Sequence, residues 1–101
     1  MRLTHAAVGL AAAFMEAPDE PHWGYSLSRQ SGVGSASMYR RLSKWLEDGW
    51  LTDGWEDPEE AKGRAPRRYY QLTDRGCLAL GAILARAQED KRFNAAAWRL
   101  A

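Results

Sequence analysis

The amino-acid sequence predicts a mainly α-helical domain with one two-stranded β-hairpin. Three observations support this fold class. Apolar residues recur at intervals of three and four near both ends of the chain and in its middle. Glycine- and proline-containing stretches separate these segments. Residues 50–55 and 67–72 have the aromatic and β-branched content of two paired strands.

The composition is that of a single ordered domain. The chain has 101 residues, of which 46% are hydrophobic and 27% charged, and this balance is typical of a globular protein. Cys77 is the only cysteine, so no disulfide can form within the chain, and we expect a reducing cytoplasm as its setting. No apolar run approaches the roughly 18 residues that suggest a membrane span.

The first predicted helix, residues 3–16, is apolar over much of its circumference. Its apolar positions repeat at three and four residues. Such a helix must be covered on two sides, so we expect it to lie between its own domain and a second subunit. The residues expected to make this contact are Leu3, Ala7, Leu10 and Phe14.

A helix-turn-helix is predicted in the next segment. A short helix should span residues 23–31, with Tyr25 and Leu27 facing inward, and residues 32–34 should form a tight glycine turn. Gly34 or Ser35 would cap the following helix, residues 35–48. Two helices joined by so short a turn are typical of a helix-turn-helix, although small helical proteins often contain such corners.

The helix at residues 35–48 has two different faces. At 100° per residue, Met38, Leu42 and Trp45 share an apolar arc, with Tyr39 at its edge. The opposite arc carries three cations, and such a face could enter a DNA major groove or could simply be solvated. Tyr39 either reaches a phosphate with its hydroxyl or belongs to the core. The predicted groove residues are Ser35, Ser37, Tyr39, Arg40, Arg41 and Lys44.

Residues 56–66 are predicted to form a polar loop without a hydrophobic anchor, at the tip of the hairpin. Lys62 and Arg64 would reach a DNA backbone or minor groove from this tip. Arg67 and Arg68 alternate faces of a strand, so at most one of them points at DNA while the other braces the fold or pairs with Glu56 or Asp57. The net charge of the whole chain is only +1, but the electric field close to these basic groups attracts phosphate.

A last helix should begin near Asp74, capped by Thr73, and carry an apolar stripe that includes Leu80, Leu84 and Ala87. Its course after Gln88 is left open. The two terminal helices together carry more apolar surface than one small core needs, which favours pairing of two chains.

Catalytic chemistry finds no support in the sequence. His5 and His22 have no Asp, Glu or Cys at ligand spacing, and a single cysteine cannot build a thiolate metal site. There is no phosphate-binding glycine loop with a lysine and no nucleophile elbow around a serine. The sequence therefore predicts no enzyme, no metal site and no cofactor.

The order of elements and the local sequence resemble the PadR family of bacterial transcription regulators. The similarity spans residues 23–80 without gaps, and its strongest part is the run 63–73, GRAPRRYYQLT, followed by Gly76. Arg40 departs from the family, which often has proline there, and so do Trp45 and Leu46. The other matching residues are Gly24, Tyr25, Gly32, Val33, Gly34, Ser35, Met38, Tyr39, Leu42, Glu47, Asp48 and Gly49.

The resemblance implies a winged helix-turn-helix that binds double-stranded DNA as a homodimer and represses transcription from inverted repeats. Residues 1–72 would form the DNA-binding domain and residues 73–101 the dimerisation helix, with the first helix also in the interface. The interface residues implied are Leu3, Ala7, Leu10, Phe14, Leu80, Leu84, Ala87 and Trp98.

Two further possibilities stay open at this point. Trp23, Phe93 and Trp98 are expected to fill the dimer core, although they could instead line a space for a planar apolar ligand between the subunits. The alternative function is a winged helix that serves as a protein–protein interaction module, docking through Trp50, Trp55 and Trp98.

Overall fold

A computed structural model describes residues 3–90 and confirms the mainly α-helical class with a small antiparallel sheet. Within residues 3–90, no helix combines the length and the apolar character that crossing a membrane requires. In chain order, the elements are α1 (His5–Met15), β1 (His22–Trp23), α2 (Gly24–Ser31), α3 (Ser35–Glu47), β2 (Leu51–Trp55), α4 (Pro58–Ala61), β3 (Arg68–Leu72) and α5 (Asp74–Glu89).

Helix α1 is the centre of the fold. Thr4 caps it by accepting a hydrogen bond of 3.1 Å from the backbone N–H of Ala7. Helices α2, α3 and α5 of the same chain cover its apolar circumference. The residues expected to face a second subunit, Leu3, Ala7, Leu10 and Phe14, are therefore buried inside one chain. Periodicity showed that α1 needs cover on several sides, but the cover comes from its own domain.

Helix α5 returns across α1, which also changes the expectation for the last helix. Thr73 caps it as predicted, accepting a hydrogen bond of 3.0 Å from the N–H of Gly76. Leu80 and Ala87 are buried within the chain and Leu84 is half-buried, so the first two offer no surface to a partner. Trp98, the remaining predicted interface residue, lies outside the described residues.

The sheet has three strands rather than the two predicted, in the order β1-β3-β2. Strand β1 pairs antiparallel with β3, with His22 opposite Tyr70 and Trp23 opposite Tyr69. A strand of two residues is too short to show an alternating pattern, which is why the sequence did not reveal it. Trp23 contacts the Tyr69 ring edge-on, with centroids 5.8 Å apart.

The segment between β2 and β3 contains a short helix, α4, where an unanchored loop was expected. Asp57 caps it by accepting a hydrogen bond of 2.9 Å from the N–H of Glu59. Ala61 is buried and anchors the segment, so the prediction of a loop without a hydrophobic anchor was wrong. We call residues 58–63, which comprise α4 and the turn after it, the wing tip.

Of the two residues predicted to face inward from α2, only one does so. Leu27 is fully buried, as expected, but Tyr25 is 69% exposed. The Tyr25 ring instead contacts the guanidinium of Arg29, one turn along the helix, with the guanidinium carbon 5.6 Å from the ring centroid. Tyr25 therefore belongs to the surface at the start of α2.

Candidate nucleic-acid interface

The rotation of α3 is fixed by three side chains that are buried almost completely, Met38, Leu42 and Trp45. The Trp45 ring contacts Phe14 of α1 and Trp50 after α3, at centroid distances of 6.3 and 6.1 Å. Gly34 provides the extended N-cap backbone at the start of the helix, one of the two residues predicted for that position. Because the inward face is anchored at both ends, the opposite face is presented to solvent in a defined orientation.

The outward face of α3 is centred about a quarter turn away from the predicted arc. Ala36, Arg40, Ser43 and Glu47 are all exposed, and at 100° per residue they fall within an arc of about 60°. Ser37 and Arg41 are half-buried at one flank. We call this surface the α3 face. It comprises Ser35, Ala36, Tyr39, Arg40, Ser43, Lys44 and Glu47.

Ala36, Ser43 and Glu47 were missed because the prediction of this face was based on positive charge. Ala36 and Ser43 are small and uncharged, so nothing distinguished them in the sequence, although their positions one helical turn on either side of Arg40 could have placed them. Small side chains on both sides of a cation leave room for a groove wall to approach the helix. Glu47 puts a carboxylate at the C-terminal end of the face, so the positive charge of the face lies around its middle, at Arg40 and Lys44.

The cations of α3 are not equally available. Arg40 donates a hydrogen bond of 3.3 Å to Ser37 Oγ, and no salt bridge within residues 3–90 engages its guanidinium. Lys44 Nζ lies 3.3 Å from Asp48 Oδ1, one turn further along α3, and both side chains are partly solvated. An exposed pair of this kind contributes little energy but neutralises part of the lysine's field. Arg40 is thus the accessible cation best placed to act on a ligand.

The flank of α3 meets the first turn of α1. Thr4 and Ala6 line a shallow cleft together with Ser37, Arg40, Arg41 and Lys44. The first turn of α1 contains no acidic residue, so the positive end of its helix dipole adds to the field of these cations. Arg41 contributes to this cleft rather than to the centre of the α3 face.

Tyr39 is 48% exposed, so it is not a core residue. Its hydroxyl lies across the start of α2, where a Cβ added to Gly24 would be only 2.7 Å from Tyr39 Oη. A side chain at Gly24 would therefore force Tyr39 to move. This contact explains physically why a glycine begins α2 and places the phenol at the surface.

Arg64 is drawn back from the wing tip by Glu56. The two side chains form a bidentate pair, with Nη1 2.7 Å from Oε1 and Nη2 3.0 Å from Oε2. The hydrogen bond from Arg64 holds the pKa of Glu56 below its usual value. Lys62 is exposed at the tip and, among residues 3–90, takes part in no salt bridge.

Arg67 and Arg68 have different surroundings, although Arg67 precedes β3, and the partner of Arg68 differs from expectation. Arg68 donates hydrogen bonds from Nε and Nη2 to Asp53 Oδ2 on β2, rather than to Glu56 or Asp57. Asp53 is diagonal to Arg68 across the two strands, and this proximity depends on the register. The Arg67 side chain is exposed, while its backbone N–H donates to Glu56 Oε1 at 3.4 Å.

The residues considered for other chemistry take structural positions. His22 is buried, its Nε2 is 2.9 Å from the carbonyl oxygen of Ala17, and its ring meets Phe14 edge-on. Cys77 is half-buried on α5. In the described part of the chain, His, Cys, Asp and Glu side chains form no group of three that could hold a metal ion.

Comparison with solved structures shows which known folds this arrangement resembles. A PadR family transcription regulator from Clostridium difficile superposes with a TM-score of 0.62 and 17% identity, over 89% of this chain and 90% of that one. The chain has a PadR-like winged-helix fold. A second neighbour is the smu.1704 protein of Streptococcus mutans, with a TM-score of 0.64 and 20% identity over 85% of this chain and 82% of that one.

A third solved structure, the transcriptional regulator PA4135, gives a TM-score of 0.58 at 20% identity. Its alignment covers 97% of this chain and 74% of that one. No family model matches the sequence, and no curated protein matches it. The assignment of a PadR-like fold therefore depends on the three-dimensional arrangement of the helices and the sheet.

The residues proposed for a planar apolar ligand are not brought together in the described part of the chain. Trp23 contacts Tyr69 of β3, and Phe93 and Trp98 lie outside the described residues. Nothing within residues 3–90 supports that ligand.

Proposed function

We propose that this chain is a sequence-specific regulator that binds double-stranded DNA through the α3 face and represses transcription. The observation that supports this most strongly is the position of Arg40. It is exposed on a helix whose back is anchored in the core, between small residues on the adjacent turns, and without a carboxylate partner in residues 3–90. A helix with this surface fits a major groove about 12 Å wide.

Arg40 is proposed to read a base edge. A guanidinium can donate two parallel hydrogen bonds to the O6 and N7 atoms of guanine, which is the commonest specific contact in the major groove. The hydrogen bond from Arg40 to Ser37 is local and exposed, so it can be exchanged for a base contact at little cost.

Lys62, Arg67 and Lys44 are proposed to contact phosphates. Lys62 and Arg67 are exposed at and beside the wing tip, and Lys44 ends the cationic part of α3. Arg64 is assigned a structural role instead, because Glu56 holds both of its terminal nitrogens. Phosphate contacts fix the protein on the duplex without selecting its sequence.

We propose a homodimer, paired through a different surface from the one predicted. Leu78 is 78% exposed on α5, and Ala82 and Ala85 are exposed one and two turns further on the same face. An exposed leucine with alanines beside it is a self-complementary surface of the kind that a two-fold axis requires. Such a dimer predicts a pseudo-palindromic site with half-sites about one helical turn apart.

DNA binding is tested by measuring the affinity of the protein for a labelled duplex, taken from the region upstream of its own gene, between about 50 and 200 mM salt. The logarithm of the association constant should fall linearly with the logarithm of salt concentration, because phosphate contacts release counterions. A random duplex of equal length is the control and should bind more weakly. Affinity that is flat with salt for both duplexes would contradict the proposal.

The test of the dimer is Leu78→Glu, with Thr52→Glu on the exposed side of β2 as the matched control. The first variant should be monomeric in light scattering at concentrations where the control is dimeric. A dimer that survives Leu78→Glu would move the interface away from this surface of α5.

The alternative, a module that docks on a protein partner through tryptophans, gains no support from the structure. Trp50 is half-buried beside Trp45, and Trp98 lies outside the described residues. Trp55 alone of the three is exposed within residues 3–90, at 69%. One exposed aromatic side chain is ordinary for a protein surface and does not define a docking site.

A further inference from the structure

Three of the cations that the sequence predicted for DNA contact are held by carboxylates of the same chain. The pairs are Lys44 with Asp48, Arg68 with Asp53 and Arg64 with Glu56. Each carboxylate cancels positive charge on a surface proposed to bind an anion. The last pair differs from the other two in geometry, and this difference bears on how the chain controls its affinity for DNA.

In the pair of Arg64 and Glu56, two nitrogens meet two oxygens. Arg64 Nη1 lies 2.7 Å from Glu56 Oε1, and Arg64 Nη2 lies 3.0 Å from Glu56 Oε2. A phosphate group offers the same arrangement of two acceptor oxygens, and arginine binds phosphate and carboxylate in the same bidentate way. In the free protein, Glu56 therefore occupies the position on Arg64 that a DNA phosphate would take.

The two partners are not equally free to move. The backbone N–H of Glu56 donates a hydrogen bond of 2.8 Å to the carbonyl oxygen of Arg67, so Glu56 continues the ladder between β2 and β3. The side chain of Glu56 is 11% exposed, whereas that of Arg64 is 40% exposed. Arg64 lies between α4 and β3, outside any helix or strand. Its guanidinium can therefore turn towards a ligand while the carboxylate stays in place.

The pair is closed but not locked. The hydrogen bond from Arg64 lowers the pKa of Glu56, so the carboxylate is charged and holds the guanidinium at neutral pH. The pair as a whole is neutral, so it gives no net attraction for phosphate while it is closed. The backbone N–H of Arg67 also donates to Glu56 Oε1, at 3.4 Å, and this donor remains when Arg64 leaves. A partly solvated pair of this kind contributes little to stability, so its opening costs little.

We propose that Glu56 is an autoinhibitory residue, whose carboxylate withholds Arg64 from the DNA backbone. Arg64 becomes a phosphate contact only when that carboxylate is neutralised. In the closed state, Lys62 and Arg67 are the backbone contacts at and beside the wing tip, and the affinity for random DNA stays low. This inference rests on the proposed DNA-binding function.

The first test compares Glu56→Gln with Glu59→Gln, which removes the same charge from an exposed position of α4. Glu56→Gln should bind specific and random duplexes alike about tenfold more tightly, the usual gain from a hydrogen bond to a charged group. The slope of affinity against salt should steepen by about 0.9 for each subunit, because one further phosphate is contacted. Glu59→Gln should gain less affinity, from reduced repulsion, and its slope should change little.

The double variant Glu56→Gln/Arg64→Gln shows whether the gain needs Arg64. It replaces a neutral ion pair by two neutral amides, so it should bind duplexes like the unmodified chain. Weaker binding of the double variant would mean that Arg64 already contacts DNA. Equal affinities and slopes for Glu56→Gln and Glu59→Gln would mean that Glu56 withholds nothing. Either result would overturn this inference.

A second measurement uses the unmodified chain and so does not depend on the folding of a variant. During titration with a duplex, the side-chain Nε–H signal of Arg40 should move in NMR spectra, while that of Arg64 keeps its position. Salt-dependent duplex binding in which the Arg64 signal moves as far as the Arg40 signal would overturn this inference and leave the proposed function standing. Failure of the unmodified chain and of every variant to bind any duplex would overturn both.

Discussion

Arg40→Ala distinguishes sequence-specific recognition by α3 from non-specific binding of DNA to a basic protein surface. Arg40 occupies the centre of the α3 face, whereas its neighbour Arg41 is half-buried at the flank beside Thr4. The two substitutions remove the same charge from adjacent positions of one helix. Arg41→Ala is therefore a matched control for the change in net charge.

The magnitude follows from what each guanidinium can reach. One bidentate contact to guanine contributes about 1–3 kcal/mol of discrimination, which corresponds to roughly 5- to 150-fold in affinity for each half-site. In a dimer the two half-sites are far apart, so the losses should add. Arg41→Ala should cost only part of a phosphate contact, about threefold or less, and equally on every sequence.

The assay is selection of bound duplexes from a random library, followed by affinity measurements on the selected site and on single-base variants. Arg40→Ala should lose preference at one base position in each half-site and leave the other positions unchanged. Lys44→Ala should keep the sequence preference and lower the salt slope by less than one, because Asp48 already neutralises part of the lysine. Equal effects of Arg40→Ala and Arg41→Ala on sequence preference would refute the assignment of the α3 face.

Three further predictions concern the scaffold. Gly76→Ala should destabilise the fold by about 1–3 kcal/mol in urea denaturation, because the added Cβ would overlap the backbone carbonyl of Trp50; an unchanged midpoint would contradict this. Trp45→Ala should lower the free energy of unfolding by about 3–5 kcal/mol, because it leaves a cavity in the core. Trp45→Phe should lower it much less, since it fills most of the space and removes a buried Nε1 that has no partner in residues 3–90. Equal losses for the two variants would contradict this prediction. The pKa of the Glu56 carboxyl should lie below its usual value in the folded protein. The stabilisation from its pair with Arg64 is therefore present above the pKa of the unfolded chain and is lost as the pH falls through the lowered pKa of the folded state. In an NMR titration, Arg64→Gln should return the Glu56 pKa towards its usual value.

Six of the eight elements of this fold could be predicted because each has a local signal, whereas the short elements β1 and α4 were missed. The 3.6-residue periodicity of α1, α3 and α5, the Gly34 and Thr73 caps, and the composition of β2 and β3 all depend on short stretches of sequence. These signals also sufficed for the fold class. What local signals could not give was the identity of each neighbour, which is why α1 was expected against a second subunit rather than against α5.

The candidate site shows the same division. The helix that carries it and the presence of Arg40 on its outer side followed from the sequence. The centre of the α3 face did not, since it depends on how deeply Trp45 is anchored between α1 and Trp50. The withdrawal of Arg64 by Glu56 depends on how the wing tip folds back. Contacts between residues distant in sequence decided these outcomes.

The central claim is that the α3 face contacts DNA, and its most direct test is the set of backbone amide shifts when the protein is titrated with a duplex that it binds. We expect shifts concentrated at Ser35, Ala36, Arg40 and Ser43, together with the wing tip, while the buried side of α1 is unaffected. Shifts concentrated on α5, with the α3 face unchanged, would contradict the account.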